Sequence, residues 1–175
     1  MRTAATEMNN YQKLWWEQAR SDLAVLVLLR RHGAAPCHQL HYLQMAAEKL
    51  GKAYFWRSGV PPPRSHAGFV QFMRFLGSVR QSERRRVAEL FAFGRFEDLQ
   101  SWIRTVLPLA YALERLAPAL AQDGPNPEYP WPPTAPEFAP VTFEFDVWTQ
   151  LTATGGGRQL MQILEVAVDK FPVYG

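Results

Sequence analysis

At 175 residues and 20.0 kDa the chain has the size of one domain, and its 47% apolar content excludes a bulk-disordered protein. The longest apolar run, Leu23–Leu29, is closed by Arg30-Arg31 and falls well short of the roughly 20 residues that a membrane span needs, so no membrane partner is expected. The net charge of +3 divides into +9 over residues 1–95 (15 Lys+Arg, 6 Asp+Glu) and −6 over residues 96–175 (4 and 10), which suits a basic surface or an acidic half that meets a basic partner.

Residues 1–10 read as a flexible lead-in whose Glu7, Asn9 and Asn10 do not fit a secretory signal. Tyr11–Arg31 predicts a long helix through Leu14, Trp15, Ala19, Asp22/Leu23, Leu26 and Leu29, stopped at Gly33. Its second half is apolar all round and is expected to be its most buried part. Pro36 starts a second helix that runs to about Trp56, with Leu40, Leu43, Ala47, Leu50 and Tyr54 on one face. Gln44, Glu48 and Lys52 step by four along a neighbouring face, and Glu48 one turn before Lys52 is the favourable order for a helical ion pair.

A proline-rich loop, Arg57–Ser65, leads to a third helix from about Ser65 to Val79, and Ser82–Phe93 predicts a shorter one. Phe96–Ala121 follows as a long helix that Pro108 should kink or divide. Residues 122–156 form a Pro/Gly-rich connector. Within it, residues 141–148 alternate Val141, Phe143, Phe145 and Val147 and read as an extended, strand-like segment laid along the bundle. Gly155-Gly156-Gly157 punctuates, and residues 157–171 make the last helix. The expected fold is therefore all-α: one domain over 1–175, a bundle of about five to six helices with a proline-rich connector.

Three sets of residues are candidates for chemistry. Cys37, His38 and His41 share a helix start, but a metal site needs further ligands that the sequence does not supply, so no metal or cofactor is expected. The lone Cys37 forms no internal disulfide, which fits a cytoplasmic location. Arg74, Arg80, Arg84, Arg85 and Arg86, with Arg64 upstream, form the strongest polyanion patch, suited to RNA or DNA. His66, beside Arg64 and Ser65 at the expected start of the third helix, is a titratable group without an identifiable nucleophile.

Ala19-Arg-Ser-Asp-Leu-Ala-Val-Leu26, then Gln44-Met-Ala-Ala-Glu-Lys49 followed by Lys52-Ala53, then Arg64-Ser-His66, then Asn126-Pro-Glu-Tyr-Pro130 occur in this order. Together they resemble the HEPN family (higher eukaryotes and prokaryotes nucleotide-binding) from about Trp15 to the C-terminus. That resemblance implies a helical bundle that works as an RNase, or as a partner of nucleotidyltransferase-like proteins in toxin–antitoxin and defence systems, commonly as a homodimer. RNase members carry an Arg and, after four to six residues, a His near the last helices. Here every histidine precedes residue 67, and the one matching spacing, Arg31 to His38, lies at the turn between the first two helices.

The resemblance therefore implies a divergent, non-catalytic interaction module. Its partner is a second copy or an operon-encoded protein, and Gln44, Glu48, Lys49 and Lys52 are expected in or beside that interface. The alternatives are a divergent RNase drawing on Arg31, His38, His41, Glu48 and His66, and a nucleic-acid-binding bundle using Arg80–Arg86.

Overall fold

The computed structural model describes residues 8–57, 59, 61, 62, 66 and 68–174. Residues 1–7 of the expected lead-in, and Arg64 and Ser65, lie outside them. The first helix, α1 (Asn10–Arg31), is capped by Asn9, whose side-chain oxygen accepts from the Gln12 amide at 2.9 Å. The Asn9 amide group also donates to the Trp56 carbonyl, at 2.5 Å, and so ties the start of α1 to the end of α2 (Pro36–Trp56). Gly33, at φ +63°, supplies the left-handed turn between them.

α3 (Phe69–Leu76), a 3₁₀ turn at Gln81–Glu83, α4 (Arg84–Leu90) and α5 (Phe96–Glu114) follow, then the short α6 (Pro118–Ala121), α7 (Asp146–Ala153), α8 (Gly155–Asp169) and α9 (Phe171–Tyr174). Among the described residues the protein is all-α and has no strand. No helix among them is long and apolar enough to cross a membrane.

One hydrophobic core joins these helices, with Leu40, Leu43, Leu50 and Tyr54 of α2, Phe69, Phe72 and Met73 of α3, Leu99 and Leu113 of α5 and Leu164 of α8 among its buried members. Pro108 sits inside a continuous α5, because the single donor it removes is tolerated where Val106, Leu109 and Ala110 are packed on the core. The helix ends at Glu114 rather than Ala121, and Pro118 starts α6 in a first-turn position.

The apolar second half of α1 is the more covered half, but only one stripe of it faces the core: Leu26 is 2% exposed and Leu28 is 52% exposed. One expectation is corrected. Residues 141–148 are not a strand. A 3₁₀ turn at Pro140–Thr142 leads through extended backbone at Phe143 and Phe145 into α7, where Val147 and Leu151, one turn apart, are both buried. Alternation over so few residues fits a short extended step followed by a helix as well as it fits a strand.

Candidate functional site

The charged edge of α2 is covered by the chain itself. Glu48 is 4% exposed, and its two carboxylate oxygens divide their partners. Oε1 accepts from Lys52 Nζ at 2.5 Å, while Oε2 lies 2.7 Å from His66 Nδ1 and accepts from Gln44 Nε2 at 3.2 Å. The Lys52 ammonium also lies 4.8 Å from the centre of the Trp15 ring on α1, a cation–π contact. One face over, Lys49 donates to Asp22 of α1 at 2.5 Å, and Gln18 Nε2 donates to the same carboxylate at 3.1 Å. This is a buried polar seam between α1 and α2.

A second carboxylate lies nearby on α5. Glu114 Oε2 accepts from the Val70 amide at 3.0 Å, and its carboxylate also takes a backbone hydrogen bond from Phe69. It thus caps the N-terminus of α3, whose own N-cap, Gly68, has no side chain to do so. Gly51 and Gly68 let the two backbones meet. A Cβ on Gly51 would collide with the Gly68 carbonyl, and one on Gly68 would lie 3.3 Å from the Glu48 carbonyl oxygen. His66 therefore precedes α3 and is held on α2 by Glu48.

The two carboxylates are tuned in opposite directions. Burial alone would raise Glu48, but hydrogen bonds from Lys52 and His66, and the charge of each, outweigh it and hold the carboxyl below its ordinary value. Glu114 is pushed up by burial, which the amides of Val70 and Phe69 offset only in part, and by the negative charge of Glu48.

The catalytic candidates are not gathered in one place. Glu48 and His66 pair, with His66 still 42% exposed in its side chain. His38 and Arg31 are exposed, and His38 lies ten residues before Glu48 on α2, about 15 Å along its axis. His41 sits 3.3 Å from Glu128, off the hydrogen-bonding direction, and Cys37 is buried in the core. No group of three or more His, Cys, Asp or Glu among the described residues is placed to hold a metal ion. The Glu48–His66 pair can orient an imidazole that stays part-exposed, the arrangement of a proton-transfer group.

Gln44, Glu48, Lys49 and Lys52, expected in or beside a subunit interface, make these contacts within one chain. A Gln/Glu/Lys row at four-residue steps reads as a solvated edge unless a neighbouring helix covers it, and here α1 does. The arginines are also engaged. Arg74 donates to the Tyr111 hydroxyl at 2.5 Å, and Arg84 packs over the Phe96 ring at 5.2 Å. Arg85 pairs with Glu89 at 2.8 Å, and Arg86 donates to the Val173 carbonyl at 2.5 Å; Arg80 is exposed. At the start of α8, Thr154 caps the helix, its hydroxyl accepting from the Gly157 amide at 3.0 Å.

Asp22, Trp15, Gly51, Gly68 and Glu114 belong to the site as well; the sequence placed Trp15 and Asp22 on the α1 period without giving them a role, and it singled out none of the other three. Compared with known proteins, the chain matches no family model, no curated protein and no solved structure.

Proposed function

We propose that this protein is a HEPN-like helical interaction module, non-catalytic, acting as a homodimer or docked on an operon-encoded partner in a prokaryotic defence, toxin–antitoxin or nucleic-acid-linked complex. The observation that supports this reading is the closed polar seam. Glu48, Lys49, Lys52, Gln44 and Asp22 satisfy one another inside the chain, and the histidines are spread from the end of α1 through α2 to the approach to α3 instead of meeting around a reacting group. The HEPN-like segment of α2 then acts as a scaffold that fixes α1 and the start of α3.

The test joins an RNA-cleavage assay of purified protein with the measured mass of the complex recovered from source cells. The expected result is no cleavage above background and a complex heavier than one chain. RNA cleavage that is lost in a folded His66→Ala variant would overturn it. That outcome belongs to the second reading, a divergent RNase, which the 2.7 Å pairing of buried Glu48 with half-exposed His66 favours. It requires His66→Ala to abolish cleavage and His38→Ala to leave it intact.

A further inference from the structure

The connector carries charge of one sign only. From Leu116 to Gly157 the sequence contains Asp123, Glu128, Glu137, Glu144 and Asp146 and no Lys or Arg. It also carries three of the most exposed large apolar side chains: Tyr129 at 58%, Phe138 at 42% and Val141 at 61%. Exposed apolar groups scattered singly are ordinary; a set of them within a stretch of one sign of charge is the composition of a contact surface.

The segment is also held in shape. The Asn126 side chain is buried and accepts from the amides of Glu128 and Tyr129, at 3.1 and 2.8 Å. Trp131 and Phe138 exchange both backbone hydrogen bonds, at 3.1 and 2.6 Å, closing the loop between them. Trp131 is buried and packs edge-on to Phe143 at 5.0 Å, and Phe143 packs in the same way on Phe145 at 5.0 Å. Aromatic packing therefore anchors the underside, with one side of the Phe138 ring stacked on Trp131 at 6.2 Å, while Tyr129, Val141 and the rest of Phe138 stay exposed. A surface already ordered loses little conformational entropy on binding.

We infer that residues 123–146 form an acidic docking ridge for a basic protein segment, one that combines Lys or Arg with apolar side chains. Charge complementarity selects this occupant, because nucleic acids and anionic lipid surfaces carry the same sign as the ridge and are repelled. The inference rests on the interaction-module reading and names the surface through which it works.

The test selects short random peptides from a display library on the purified full chain. The expected result is enrichment of peptides that pair Lys or Arg with aliphatic or aromatic residues. Their binding should weaken roughly tenfold in Glu137→Lys/Glu144→Lys and weaken with added salt, while Glu17→Lys on α1 binds like the parent. Val141→Ser, at a position outside the core, should weaken binding with every charge intact. Enrichment of no basic class, peptides held equally by the charge-reversed chain, or self-association through the ridge would each overturn the inference. If the complex from source cells forms equally on Glu137→Lys/Glu144→Lys, the ridge fails and the module stands. If the parent forms no complex, the module reading fails on its own count.

Discussion

At the scale of single residues, Glu48 and Glu114 make opposite contributions to stability as pH changes. Glu48 has a folded-state value below the ordinary 4.5, so its contribution is complete above pH 4.5 and is lost as pH falls through the lower folded value. Glu114 has a folded-state value above 4.5, so the folded chain takes up its proton first, and stability rises as pH falls toward 4.5. Urea melts across this range should show Glu114→Gln without the rise above pH 4.5 and Glu48→Gln with a weaker loss below it. At neutral pH, Glu48→Ala leaves the Lys52 ammonium, 14% exposed, without its counter-charge and should cost about 3–5 kcal/mol. A Glu48→Ala chain as stable as the parent would mean that the seam does not hold α2 in place. Of this network the sequence shows the Glu48–Lys52 step of four. It does not show Lys49–Asp22 or Glu114–Val70, because their partners lie 27 and 44 residues apart and only folding brings them together.

At the scale of elements, α1 and α2 were legible because long amphipathic periods and the Gly33 and Pro36 signals agree with one another. The region from 141 to 157 was not. Its apolar alternation and glycine run describe local preference, whereas its conformation is set by what packs on it. The three glycines of α8 show the difference. A Cβ on Gly155 meets nothing within 4 Å, whereas one on Gly157 would collide with the Gln150 carbonyl and with Leu151 of α7. Gly155→Ala should therefore stabilise by up to about 1 kcal/mol through helix propensity, and Gly157→Ala should destabilise despite the same gain. Gly51→Ala is the corresponding test at the candidate site. Propensity favours alanine in the interior of α2, so a loss of about 1–3 kcal/mol in a denaturant melt would establish the backbone contact with Gly68. A gain would show that the segment carrying His66 does not rest on α2.

At the scale of the whole molecule, the two ends of the described chain close on one aromatic cluster. Phe171 is fully buried and stacks on Trp16 at 6.5 Å, and Tyr174 lies 5.8 Å from Phe91 and 6.4 Å from Phe72. A last helix ending near Phe171 was readable from its period; the closure was not, because it depends on a donor 152 residues away. Pro172 has no N–H, so the Val168 carbonyl, four residues before it, lacks the donor that a continuing helix would give. Trp16 Nε1 supplies it at 2.7 Å, and the Tyr174 hydroxyl donates to the neighbouring Ala167 carbonyl, also at 2.7 Å. Trp16→Phe keeps an aromatic ring beside Phe171 but removes that donor from a carbonyl in the core of the bundle. It should lower stability by about 1–3 kcal/mol, the cost of an unmet buried acceptor, in a single cooperative transition. Because Trp16 joins α1 to α8, hydrogen exchange should quicken at both helices together. Quickening confined to α9 would mean that the C-terminal turn is an appendage and that the bundle closes without it.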